Sequence, residues 1–359
     1  MSEWFDRIAA RLDAHQHKHV TLAAGDGRLL VTEHGARVLA CEMPGVAGNL
    51  FFHPPFMEQA DAADEPTVAG GDRLWIAPEV GWFWPSLDDA RRDPKGAATT
   101  PMAIDPGYFG ITDQSENRVA MDARIDLTDV RDDKALALYA TREVRVIEAP
   151  PITLDGLLSL SFALTHSLSW ADASSDQGAV AGVWSILQVP PAPEGRGTLI
   201  CPTTRRVEPR SYYEPFGDKH VAVDDDRVRF LIDGKHRIKM GVTADATTGR
   251  MGYYANHGDV SSLIVRIFAP QPGEPYCDLP RDEDAEQRTG GDALQAYNDD
   301  GDAFENTTFG EMEYHDPCLI AGKAPHTRTG ASVTHALVGP DDAIKQAGQQ
   351  LLGVAIEAI

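Results

Sequence analysis

Most of the chain is written in short runs where apolar and polar positions alternate, the period of strands that bury one face. The early runs are Val20 to Ala23, Leu29 to Thr32, Ala36 to Glu42 and Asn49 to Phe52. Longer ones follow at Val119 to Leu127, Ala135 to Glu148, Leu157 to Ser169 and Val180 to Val189. The later ones are Val228 to Ile232, Arg237 to Val242, Met251 to Ala255, Ser262 to Ala269, Leu294 to Asn298, Glu311 to Glu313 and Ala331 to Val338. Gly, Asp and Pro punctuate them about every ten residues, which predicts an antiparallel sandwich or barrel. Only the two ends change period. Residues 3–14 space their apolar positions as an amphipathic helix does, and Pro340 to Ala358 does the same with Ile344, Ala347, Leu351, Leu352 and Ala355. Gln59 to Val68, Leu87 to Thr100 and Asp278 to Asp292 are too polar for a core and read as surface loops. No repeat and no linker divides the chain. The expectation is one all-β domain over residues 1–359, with an N-terminal helix and connector over 1–18 and a C-terminal helix over 340–359.

Composition narrows the partners. A formal charge of −23 argues against nucleic acid and against an anionic membrane, since both are met by clustered Lys and Arg. Cys41, Cys201, Cys277 and Cys318 lie far apart and form no CxxC pair, so neither a structural zinc site nor a disulfide framework is expected. Met1 to His15 carries acids and has no apolar core of a signal peptide. No run reaches the roughly 18 apolar residues of a membrane span. A cytoplasmic protein without a cofactor or resident metal is expected; its oligomeric state is open.

Candidate chemistry concentrates in two places. Gly70 to Glu79 joins a double-glycine turn to Arg73, Trp75 and Glu79. An aromatic face beside charged hydrogen-bonding groups suits a sugar. As a strand, this run turns Arg73 and Trp75 to one face and Leu74 and Ile76 to the other. Phe309 to Pro317 is the second place. There Glu311, Glu313 and His315 share one strand face at about 7 Å spacing, with Met312 and Tyr314 opposite. Two carboxylates and an imidazole supply a general acid and base, or ligands for a divalent ion. His166, Trp184, Lys239, Arg266 and Asn298 are further candidates, each equally readable as core or solvated strand. His15, His17 and His19 form a histidine-rich connector after the first helix. A GxSxG elbow, an HExxH helix and a GxxxxGK[ST] loop are all absent from the sequence.

These pieces together resemble the galactose mutarotase-like superfamily, the aldose 1-epimerase relatives. The likeness runs over residues 20–340, through His34 to Leu39, Gly48 to Phe52, the GGxRLWxAPE segment at Gly70 to Glu79, and Glu311 with Glu313. The resemblance implies a β-supersandwich of antiparallel strands and a sugar or oligosaccharide as ligand. It also implies anomer interconversion, in which a glutamate takes the anomeric hydroxyl proton while a histidine protonates the ring oxygen. Glu313 would be the base and Glu311 its substitute. Arg73, Trp75, Glu79, Trp184, Lys239, Arg266, Asn298 and His315 would bind the sugar. The family's histidine motif after the central strand is replaced by Ala181 to Ile186, which carries Trp184 and no histidine. The acid would then fall to His166, His53 or His315. A non-catalytic carbohydrate-binding or sensing protein and a lyase or hydrolase of oligosaccharides are the alternatives, because one fold hosts many functions.

Overall fold

A computed structural model describes residues 2–60, 69–92, 98–171, 176–193, 197–213, 215–217, 219–280, 288–301 and 307–359. Its first strands are β1 (His19–Ala24), β2 (Gly27–Thr32), β3 (Arg37–Glu42) and β4 (Asp72–Ala77). Next come β5 (Gly110–Ser115), β6 (Arg118–Asp129), β7 (Lys134–Val146), β8 (Leu158–Trp170), β9 (Val180–Val189) and β10 (Gly197–Pro202). The middle of the chain holds β11 (Arg210–Ser211), β12 (Val221–Val223), β13 (Arg227–Ile232), β14 (Ile238–Val242), β15 (Arg250–Asn256) and β16 (Ser261–Phe268). The last are β17 (Leu294–Asn298), β18 (Gly310–His315), β19 (Leu319–Ile320) and β20 (Thr327–Gly339). The helices are α1 (Glu3–Ala14), α2 (Leu87–Arg92) and α3 (Asp341–Leu352).

Two antiparallel sheets face each other. The first runs β1-β2-β3-β4-β9-β18-β17-β14-β11, with β19 beside β9; the second runs β12-β13-β10-β15-β16-β20-β8-β7-β6-β5. Alternate residues of both sheets fill the space between them, among them Leu74, Ile76, Met312 and Tyr314 from the first and Phe162, Leu164 and Phe268 from the second. Tyr314 stacks on Phe268 at 4.8 Å and Phe51 meets Phe162 edge-on at 6.3 Å.

The terminal helices cover outer faces. Phe5, Ile8 and Leu12 of α1 pack on Leu30, Leu39 and Ala40 of the first sheet. Ile344, Ala347 and Leu352 of α3 pack on Ile200, Leu263, Val265 and Leu337 of the second. Both helices follow the predicted periodicity, but α3 stops at Leu352, where Gly353 takes a left-handed φ of 78°, short of the expected Ala358. The outer face of the first sheet is thereby left to other residues along β4, β9, β18, β17 and β14.

Several expectations are corrected. Asn49 to Phe52 bends instead of forming a strand, because Asn49 Oδ1 accepts the backbone N–H groups of Cys41 (2.8 Å) and Phe51 (3.0 Å). Leu87 opens α2 and not a loop; Ser86 Oγ accepts the N–H of Asp89, the start of a capped helix. β5 and β10 had no alternation to betray them: β5 is half-buried or exposed throughout, and β10 is buried at every position. Parts of the three expected loops (61–68, 93–97 and 281–287) lie outside the described residues. No described helix is long and apolar enough to cross a membrane.

Candidate functional site

The turn at Gly70 and Gly71 sets up the site. Both have positive φ (86° and 73°), and a Cβ would lie 2.1 Å from Phe52 O at Gly70 and 2.5 Å from Val38 O at Gly71. Only glycine fits such a crossing. The chain leaves it as β4, with Asp72, Leu74 and Ile76 toward the second sheet and Arg73 and Trp75 on the outer face. Register then lays three rows across that face. Trp75 pairs with Trp184 and Trp184 with His315. Arg73 pairs with Ile186, which lies opposite Glu313, which lies opposite Gln295. Gln188 pairs with Glu311, Glu311 with Tyr297, and Tyr297 with Lys239.

Glu313 is the centre of this array and is fully buried. Its Oε2 accepts the Trp184 indole N–H (2.7 Å) and lies 3.0 Å from Lys239 Nζ, while Oε1 has no partner. Burial pushes the Glu313 carboxyl up to about 8 against the opposing pull of Lys239, with Glu311 adding to the rise. Lys239 is buried too, which disfavours its charge, but Glu313 and Glu79 hold its proton affinity above the ordinary value. A proton leaving the pair as pH rises therefore comes from Glu313 and not from Lys239. The ammonium also sits 4.3 Å over the Trp184 ring.

Glu311 is held differently. Its Oε1 accepts Arg73 Nη2 (2.9 Å) and Gln188 Nε2 (2.8 Å). Arg73 lies over Trp75, its Cζ 4.0 Å from the ring centroid, and burial lowers its proton affinity. The Trp75 indole donates to Asp105 Oδ2 (3.1 Å), and Asp105 is bound by Arg37, which also donates to Gly70 O (2.9 Å). His315 stacks on Trp184 at 5.4 Å, and neither ring nitrogen has a protein partner. Burial, helped by the Lys239 charge, holds His315 well below the usual imidazole range, so it is neutral near pH 7. Phe83 closes the aromatic group, 5.0 Å from Trp75 and 6.4 Å from Trp184.

The structure thus brings Glu313, Glu311, Arg73, Trp75, Trp184, Lys239 and His315 together. Glu79 sits at the rim just beyond β4, its backbone N–H bound to Asp278 Oδ1 (2.8 Å). Four candidates lie elsewhere. His166 points into the space between the sheets and is bonded to Asp316 there. Arg266 crosses the same space from β16 to Ser185 Oγ (2.8 Å), Met312 O (3.0 Å) and Asp72 (3.2 Å). Asn298 is one step out of phase with Tyr297 and pins the turn before β14, accepting the N–H groups of Asp233 and Gly234 (both 3.1 Å). His53 is bound to Glu58 (3.0 Å) and Asn49 (3.1 Å), beside α1.

Sequence reasoning missed Gln188, Gln295, Tyr212, Asp105 and Asp278. Gln295 Nε2 donates to Tyr212 OH (2.7 Å) and Asp278 Oδ2 (2.8 Å), and Tyr212 OH donates to Asp292 Oδ2 (2.9 Å). The two glutamines carried a signal: Gln188 is the one amide of a largely apolar β9 and Gln295 stands between Leu294 and Ala296, and an amide so placed demands a buried partner.

The arrangement offers a proton acceptor tuned near neutrality, indole and phenyl surfaces, and an amide and guanidinium in a fixed frame. Comparison with solved structures identifies the architecture. A putative aldose 1-epimerase from Escherichia coli K12 matches with a TM-score of 0.52 at 8% identity, covering 89% of this chain and 99% of that one. A galactose mutarotase-like protein from Lactobacillus casei matches at 0.48 and 11%, covering 89% and 100%. A galactose 1-epimerase from Lactobacillus acidophilus matches at 0.40 and 11%, covering 90% and 95%. The fold is mutarotase-like, as the sequence resemblance led one to expect. No curated protein matches the sequence. A family model does, over residues 3–359, and the chain belongs to that family of unknown function, DUF6786.

Proposed function

We propose that the outer face of the first sheet binds a carbohydrate and that Glu313 accepts a proton there, in a reaction of the aldose 1-epimerase type. One observation carries this reading: a buried carboxyl, fixed through one oxygen by Trp184 and Lys239, keeps its other oxygen unpartnered and has its proton affinity raised to about 8. Enzymes tune bases toward the operating pH in this way. In the proposed step Glu313 Oε1 takes the proton of the anomeric hydroxyl. The O–H electrons become the C=O π bond, the bond from C1 to the ring oxygen breaks, and the ring oxygen takes up a proton that His315 relays from solvent, one ring nitrogen giving its proton as the other takes one up. His315 carries one N–H and one lone pair free of protein partners and is the hydrogen-bond donor to that oxygen. Trp75, the half-buried indole of the group, supplies the surface for the C–H side of a sugar, Trp184 holds Glu313, and Arg73 is the hydroxyl anchor.

A non-catalytic carbohydrate-binding protein is the second reading, favoured by one observation. His315 is held neutral, and the cations near Glu313, Lys239 and Arg73, are each tied to a carboxylate, so no strong acid faces the base among the described residues. A glycosidase is disfavoured: Glu311 and Glu313 stand on one strand face and would lie on the same side of a sugar, not across its bond. Anomer exchange followed by NMR on a panel of free aldoses decides the matter. Acceleration by the wild type that disappears in Glu313→Gln supports the enzyme; sugar binding without acceleration supports the second reading, and neither binding nor acceleration removes both.

A further inference from the structure

A second cluster of chemistry lies at the turn between β13 and β14. Asp233, almost fully buried, accepts the backbone N–H of Lys235 (2.9 Å) and Asn298 Nδ2 (2.8 Å) through Oδ1. Its Oδ2 is bonded to His236 Nδ1 at 2.7 Å. His220 arrives from another segment, its backbone fixed by hydrogen bonds to Gly217 O (2.8 Å) and from Leu231 N–H (2.9 Å). The His220 and His236 rings lie 4.2 Å apart, tilted by 49°. One ligand atom from each of the three residues lies within 4.8 Å of the other two.

We propose that His220, Asp233 and His236 bind a divalent transition-metal ion of the Zn2+ class. Two imidazole nitrogens with one carboxylate oxygen suit a borderline ion such as Zn2+ or Co2+, whereas Ca2+ and Mg2+ select all-oxygen sets. The cation replaces the Asp233–His236 hydrogen bond: the imidazole proton moves to Nε2, and Nδ1 and Oδ2 become neighbouring ligands. At metal–ligand lengths of about 2.0–2.2 Å, tetrahedral neighbours are roughly 3.3 Å apart, so that pair is close to place and the His220 ring swings inward to join it. Asn298 and the Lys235 amide hold the carboxylate from behind, as outer groups do in metal sites. The His236 side chain is 49% exposed, which gives the ion a path. An ion there ties the His220 segment to the turn that leads into β14 and Lys239. The site is independent of the carbohydrate reading, and its test reads metal and not turnover.

The full chain, stripped with EDTA, is titrated with CoCl2 and then ZnCl2. The expected result is visible absorption of tetrahedral Co2+ that Zn2+ abolishes, and one equivalent of Zn2+ that is lost in His220→Ala and in His236→Ala but kept in His17→Ala. Zn2+ raises the melting temperature of wild type and His17→Ala and leaves the other two unmoved. The variants sit on separate segments, so melting in EDTA identifies one that fails to fold and the other still decides. Unchanged stoichiometry in a folded His220→Ala or His236→Ala overturns the proposal. So does loss of the ion in His17→Ala, which would assign it to the histidine connector at 15–19.

Discussion

The two faces of the first sheet bury charge in opposite ways. On the inner face Asp72 is held from both oxygens, Arg142 at 2.6 Å on Oδ1 and Arg266 at 3.2 Å on Oδ2. There Oδ2 has that ion pair but no hydrogen bond, and the guanidinium atoms left over beside it are Nε and Nη1 of Arg142 and Nε of Arg266. On the outer face one oxygen of Glu313 and both nitrogens of His315 are left over beside Arg73 Nε. Guanidinium groups hold their protons at any physiological pH, so the inner cluster is fixed in charge. The outer one has titratable atoms without partners. Buried charge on the first face is a framework; on the second it is available to react.

The sharpest break of this comparison is Glu313→Gln. If the outer face carries the chemistry, the variant loses about 10²–10⁴-fold in the rate of anomer exchange while its unfolding transition stays cooperative. Next is the inner face. Asp72→Ala strands two buried guanidiniums and should lower stability by about 3–5 kcal/mol in denaturant unfolding, the range for one partner removed from a buried ion pair. A loss under about 1 kcal/mol would mean that the inner network is no framework.

The pH dependence is third. The folded Glu313 carboxyl titrates near 8, above the ordinary 4.5. As a base it must be ionised, so kcat/KM rises with pH below about 8 and levels above it. For stability the sign is the reverse. A raised carboxyl favours the folded state below the unfolded value, and that contribution is lost as pH rises through about 8. Glu313→Gln should therefore flatten the melting temperature against pH between about 5 and 9. Lys239→Met removes the cation that pulls the carboxyl down, and the kcat/KM limb should move to higher pH. The smallest effect is expected from Trp75→Phe. It keeps a ring under Arg73 and deletes the bond to Asp105, costing about 1 kcal/mol by thermal unfolding.

The sequence made the strand framework legible where one face meets solvent. β6, buried at every second position, alternates cleanly, and β7 and β8 do so outside one run of three buried residues each. The grouping of Glu311, Glu313 and His315 was legible for the same reason, since phase along one strand is local. The face on which a group ends is not. β18 is buried at all its positions and β16 at nearly all. With both sides apolar or paired, the sequence has no mark to say which side meets the other sheet. Arg266 and Asn298 were misplaced by this ambiguity, while Lys239 and Trp184 fell on the outer face; His166 shares the buried face of β8 with Leu160, Phe162 and Leu164. Asp105 and Asp278 come from irregular segments and reach the site only through tertiary contacts.

The double-glycine crossing before β4 has a further consequence. Asp72 and Arg73 are adjacent in sequence, yet they serve opposite faces of one sheet. The strand therefore has a reading frame of two, opened at Gly71. Inserting or deleting a single residue between that turn and Ala77 would exchange the frames, sending the acid outward and the base inward in one step. Substitutions within β4 can be compensated one at a time; a change of length cannot. Among relatives of this chain, length variation should gather in the connecting loops and be missing from these six residues.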